Sequence, residues 1–168
     1  MTIFDKKEIM KFKLFVITLF VLGYNSLSYS QCKFEINETD KFTGVSKLET
    51  KLEILHKDFN SAIAVNFCKY NNEYFIRLGL NLSNQIYSIS KGDKLMFICG
   101  DSTLTLISNE SKVVSGYTNI VYNLTESQIK ILKSNTITDL RIYLINSYLD
   151  KLIDPKKAEK IKLAVGCI

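Results

Sequence analysis

The chain has 168 residues, 46% of them hydrophobic, which is enough for one core, and its 22 Lys and Arg against 17 Asp and Glu give a formal charge of +5. The two signs interleave without long blocks, the pattern of a solvated surface and not of a nucleic-acid-binding protein. A single His and four widely spaced Cys exclude the usual zinc sites and any CxxC redox motif, so neither metal nor cofactor is expected.

The first 30 residues read as a secretion signal. Lys11 and Lys13 precede an uncharged apolar run, residues 14–23, that is short for a bilayer span, which takes about 20 apolar residues. Ser28 and Ser30 put small residues where a signal peptidase reads, so cleavage is expected after Ser30, leaving a single domain over residues 31–168. Met10 is a better start than Met1, because Asp5 and Glu8 weaken the positive front such a leader wants. Losing residues 1–30 lowers the formal charge from +5 to +3. The rival reading is a lipoprotein signal with Cys32 acylated, but Tyr29, Ser30 and Gln31 fit it poorly. The expected location is the periplasm or the medium, with no membrane span after cleavage.

An even number of cysteines in an oxidising compartment favours two disulfides. Sequence alone allows three pairings. The preferred one joins Cys32 to Cys167, tying the two ends of the domain, and Cys68 to Cys99, linking two strands; buried thiols are the alternative.

Asp40 to Gly44 is a turn that opens into a strand over residues 46–55. Residues 61–70 and 73–80 form a hairpin around Asn71-Asn72, since Asn tolerates the positive φ of a tight turn. Short strands follow over residues 85–89, 94–99 and 103–108, punctuated by Lys91-Gly92-Asp93 and Gly100-Asp101. Ser115-Gly116 breaks the pattern before a strand over residues 119–124. Thr125 then caps a helix, with Gln128 completing a capping box, and the helix ends near Ser134. Residues 137–145 return to strand, with Leu140, Ile142 and Leu144 on one face and Arg141, Tyr143 and Ile145 on the other. The last helix is capped by Asp154, starts at Pro155 and repeats Ala158, Ile161, Ala164, Val165 and Ile168 at helical spacing. The expected fold is α+β: an antiparallel β-sheet meander with a short helix and a C-terminal helix packed on it.

Few residues carry recognisable chemistry. His56 has no nucleophile pattern beside it and reads as a surface residue. Asp93 and Asp101 bracket one strand; turn chemistry explains them better than a glycosidase-type pair. No catalytic residue is therefore assigned. Arg77 and Arg141, the only arginines, sit mid-strand opposite runs of Leu and Ile, with Phe75 and Tyr143 on the same faces. An arginine beside aromatics on an exposed sheet face can take a carboxylate or sugar-like ligand; the plainer reading pairs it with Glu73 or Asp139.

The succession Asp40-x-Phe42-Thr43-Gly44, Ile89-Ser90-Lys91-Gly92-Asp93, Tyr122-x-Leu124-Thr125, the strand through Arg141-Ile142 and the closing helix resembles that of small uncharacterised secreted α+β proteins of Gram-negative bacteria. The resemblance implies the domain limits and the compartment, and no activity. The expected function is a non-catalytic binding or structural module that meets a protein or an envelope component and no nucleic acid. An inhibitor or immunity-type protein of a partner enzyme is the alternative, and a small hydrolase ranks below both.

Overall fold

Alternating apolar residues along most of the chain demand a sheet with one covered face, and the computed structural model, which describes residues 32–82, 91–114 and 117–168, supplies it. Its strands are β1 (Phe34–Thr39), β2 (Ser46–Thr50), β3 (Glu53–Lys57), β4 (Ser61–Tyr70), β5 (Glu73–Leu82), β6 (Lys94–Cys99), β7 (Ser102–Val114), β8 (Tyr117–Leu124), β9 (Ile137–Leu144) and β10 (Ser147–Leu152). The helices are α1 (Glu126–Ser134) and α2 (Pro155–Gly166). The expected leader at residues 1–30, its start at Met10 and the strand expected at residues 85–89 lie outside the described residues.

All ten strands join one antiparallel sheet in the order β1-β2-β4-β5-β8-β7-β6-β9-β10, with β3 added beside β4. This corrects the expected α+β meander: the fold is β-rich, and its strand order is not sequential. β8 returns to pair with β5, and β9, reached through α1, lies beside β6, so two Greek-key units overlap on β6, β7 and β8. β7 is staggered across the sheet, residues 102–107 pairing with β6 and residues 108–114 with β8.

Local signals are realised where the chemistry is local. Asn71 holds φ at 53° in the β4–β5 turn and ties it to β2, its side-chain oxygen accepting from Ser46 N at 3.0 Å. Asp40 Oδ1 accepts from Phe42 N and Thr43 N, both at 2.8 Å, and sets the β1–β2 turn. Thr125 and Gln128 make both bonds of the capping box, and Asp154 caps α2 in front of Pro155. The segment expected as one strand at residues 46–55 is instead β2 and β3, both paired with β4. At the end of β2, Thr50 Oγ1 accepts the Phe67 N–H at 3.0 Å, in place of a strand carbonyl.

The covered face is built by Ile63, Val65 and Phe67 of β4, Ile76 and Leu78 of β5, Ile120 and Tyr122 of β8, Leu95 and Phe97 of β6, and Leu140 and Ile142 of β9. α2 lays Ala158, Ile161 and Val165 onto it, touching β3 and β4 at one end of the sheet, β9 towards the other, and α1 alongside. A second link joins the same regions: Asp58, in the β3–β4 turn, accepts from Lys151 Nζ of β10 at 2.9 Å and sits 2.9 Å from His56 Nε2. His56 and then Lys151 hold the Asp58 carboxyl well below the usual range. Among the described residues, no helix is long and apolar enough to cross a membrane.

Cys32 and Cys167 are disulfide-bonded. The expected second bridge is absent: Cys68 and Cys99 are free and buried. Cys68 lies on β4 and Cys99 on β6, four strand steps apart, roughly 19 Å along the sheet. A disulfide needs Cα atoms within about 7 Å.

Burial pushes the Cys68 thiol up to about 12 and the Cys99 thiol up to about 11, so both should resist maleimide at neutral pH in the native protein. In denaturant, mass spectrometry should count two labelled thiols before reduction and four after it. Reducing the bridge, which closes a long loop, should lower the unfolding free energy by about 3–5 kcal/mol, read as a drop in the urea midpoint. Tyr122 offers a second check, because its fully buried hydroxyl has no hydrogen-bond partner among the described residues. Tyr122→Phe keeps the ring and removes that orphan, and should raise stability by about 1 kcal/mol in the same urea titration.

Candidate functional site

With one face committed to the core, the polar and aromatic residues of the strands stand on the other, and strand register decides which of them meet. Both arginines singled out from the sequence are there, and each is built into the same kind of unit: a guanidinium held by a carboxylate from another strand and lying over a tyrosine ring. Neither carboxylate is Glu73 or Asp139; the partners are Glu49 and Asp150.

Arg77 of β5 points across β4 towards β2. Its Nη1 donates to Glu49 Oε2 at 2.6 Å, its Nη2 to the Tyr70 hydroxyl at 2.5 Å, and the Tyr70 hydroxyl donates to Glu49 Oε1. The guanidinium carbon is 5.7 Å from the Tyr70 ring centre, and Phe75 packs on that ring at 5.6 Å. Glu49 and Phe75 both stand opposite Cys68, so this cluster roofs the buried thiol. Burial, and then the bond to Glu49, pushes the Tyr70 hydroxyl up to about 12, so it stays a donor at any physiological pH. The Glu49 side chain is only 6% exposed, against 38% for Arg77, which makes Arg77 the counter-ion of a buried carboxylate.

Arg141 of β9 is arranged for solvent. Its Nε and Nη2 donate to the two oxygens of Asp150 on β10, each at 2.6 Å, in a planar two-point pair. The guanidinium carbon lies 4.3 Å from the centre of the Tyr148 ring, and Tyr143 stands 6.5 Å from Tyr148. Both members are open, at 41% and 50% exposure. The Arg141 guanidinium holds the Asp150 carboxyl below its ordinary value. Beside the pair is a cavity of about 360 Å³ lined by Met96, Ile98, Asp139, Lys151 and Leu152. Among these, Ile98 and Leu152 are exposed, as is Tyr148 under the guanidinium.

The other candidates do not assemble into chemistry. His56 serves the Asp58 turn and has no nucleophile in its bonds. Asp93 and Asp101 flank β6 at opposite ends, on the order of 20 Å apart by strand rise, beyond the reach of a glycosidase pair. Among the described residues, no group of three or more His, Cys, Asp or Glu is placed to hold a metal ion. Sequence reading missed Glu49, Tyr70, Tyr148 and Asp150 as partners. Asp150 was legible in principle, since the hairpin β9–β10 sets it directly opposite Arg141; Glu49 required knowing that β2 pairs with β4.

The two arginines should separate on substitution. Arg77→Ala strands the buried Glu49 carboxylate and should cost about 3–5 kcal/mol of stability, whereas Arg141→Ala opens an exposed pair and should cost under about 1 kcal/mol. Urea denaturation of both variants tests this, and equal losses would refute the distinction. Comparison with known proteins found no match of this chain to any family model, curated protein or solved structure.

Proposed function

We propose that this chain is an exported, non-catalytic binding domain of the bacterial envelope or secreted fraction, and that it meets a protein partner through the outer face of β6, β7, β9 and β10. The observation that carries the reading is the Arg141–Asp150 pair, stacked on Tyr148 at a cavity of about 360 Å³ whose lining includes exposed Ile98 and Leu152. Arginine and tyrosine surrounded by aliphatic surface are the residues that anchor protein interfaces, where a partner's side chain fills the pocket and the planar pair fixes its orientation. Isolated exposed apolar residues need no explanation, but Ile98, Leu152 and Tyr148 together at one ion pair and its pocket do.

Export is supported by the leader pattern in residues 1–30 and by the bridge between Cys32 and Cys167, which an oxidising compartment favours. A Cys32 sulfur bonded to Cys167 has no valence left for a diacylglyceryl thioether, which favours a released form over a lipoprotein.

The test is a photo-crosslinking residue placed at Leu152, and separately at Phe42, in the protein as the producing cell exports it, whose intact mass should begin at Gln31 without an acyl adduct. Leu152 should yield one discrete protein adduct that Arg141→Glu removes while the variant keeps a cooperative thermal unfolding transition, and Phe42 should yield none. An adduct from Phe42 alone, or one from Leu152 that survives Arg141→Glu, would reject this face as the docking surface.

A further inference from the structure

A second depression, of about 460 Å³, lies over the middle of the sheet on the same outer side, away from Arg141. Two successive rungs form it. Asn66, Arg77, Val121 and Glu110 stand side by side across β4, β5, β8 and β7, and Ala64, Gly79, Asn119 and Lys112 make the next rung. The second rung is low on its β4–β5 side because Ala64 and Gly79 carry almost no side chain. Leu52, left exposed in the break between β2 and β3, adds an apolar wall.

Gly79 is the residue that points to a ligand. A strand interior holds glycine at a loss of stability relative to alanine, so its presence needs a reason. One reason would be a positive φ, but Gly79 is not among the residues that have one. Another would be crowding, but a Cβ there would meet nothing nearer than Asn119 Oδ1 at 3.8 Å and the Ala64 carbonyl oxygen at 3.9 Å, ordinary contact distances. Neither backbone conformation nor local crowding requires this glycine. The pairings with β4 and β8 run through Gly79 without a register shift, so no bulge accounts for it either; what its bare backbone provides is the floor of the groove, and close approach of a bound molecule is one recognised use of a mid-strand glycine.

The lining chemistry selects the class of molecule. Arg77 is already neutralised by Glu49, and Lys112 stands two residues from Glu110 on β7, so the groove has no excess charge for an ion. Its groups are instead balanced for hydrogen bonding: Asn66 and Asn119 both donate and accept, Lys112 donates, and Glu110 accepts. Hydroxyl groups, each a donor and an acceptor at once, match such a set. Val121 and Leu52 offer aliphatic surface for the C–H face of a ring. We infer that the groove over Gly79 binds an uncharged saccharide, at a site distinct from the protein-docking face and independent of it.

Calorimetric titration of the full chain with cellotetraose, chitotetraose and maltotetraose, and with tetragalacturonate as the charged counterpart, tests the inference. At least one neutral tetrasaccharide should bind, with tetragalacturonate about tenfold weaker or worse. Gly79→Leu, which fills the floor, should abolish that binding, and Asn119→Ala should weaken it about tenfold, the worth of one hydrogen bond to a sugar hydroxyl. Gly79→Ala should melt no lower than the wild type. The inference is overturned if no neutral saccharide binds, if tetragalacturonate binds best, or if a folded Gly79→Leu binds as the wild type does. Should Gly79→Leu fail to fold, unchanged affinity in Asn119→Ala overturns it alone.

Discussion

A sheet with one apolar face holds together only when that face is covered, and the last helix provides much of the cover. α2 inserts Ala158, Ile161 and Val165 between β3 and β4 on one side and β9 on the other, regions far apart in strand order. Full burial of side chains such as Ile161 and Val165 contributes about 1.5–3 kcal/mol each. The helix is fastened at both ends: Asp154 caps its start, and Cys167, directly after it, is bonded to Cys32. Lys162 Nζ also donates to the Ser134 carbonyl at 2.9 Å, joining α2 to the end of α1. The inner face is thereby used up, and the long strands can present chemistry only on the outer one.

That outer face is not uniform, and burial is what divides it. Arg77 and Arg141 have the same partners by type, a carboxylate and a tyrosine, yet their surroundings give them opposite duties. Around Glu49 water is excluded, so the carboxylate is tolerated only while Arg77 and Tyr70 answer it, and the cluster locks β2 to β4 and β5 above Cys68. Around Asp150 water is present, so the pair is nearly neutral to stability and its planar donors and acceptors face solvent. The same residue types thus brace the sheet at one place and offer a surface at the other.

How much of this could be read from the chain follows from how local each signal is. The Asn71 turn, the Thr125–Gln128 capping box and the Asp154-Pro155 start of α2 are settled by neighbours within four residues, and the structure carries all three. The edge strands β1 and β10 drew no expectation, because Phe34–Thr39 and Ser147–Leu152 are half polar and neither has a fully buried position to mark a core face. The expected meander failed because pairing of β8 with β5, and of β9 with β6, is set by long-range packing that no turn residue reports. The same ignorance of strand order made Cys68 and Cys99 look like partners. The candidate site was legible as faces: Arg77, Arg141, Phe75 and Tyr143 are all on the outer side, as alternation implies. It was not legible as contacts, since Glu49 reaches Arg77 only through the order β2-β4-β5.

Gly79 shows where a local signal was present and unused. A glycine within a run as rich in β-formers as Tyr74, Phe75, Ile76 and Leu78 breaks the local rule for strands, by about 0.5–1 kcal/mol against alanine. β5 tolerates the loss because it is paired along its length, with β4 over ten positions on one side and with β8 over seven on the other. A weak residue at an edge would fray; at the centre of two continuous ladders it leaves the backbone in place and removes only side-chain bulk. The result is a depression whose floor is held rigid by the ladders on both sides, with Asn66 and Asn119 carried on the strands that flank it. Rigid elements hold polar groups more accurately than loops do, and that is the physical reason to expect selectivity at this groove.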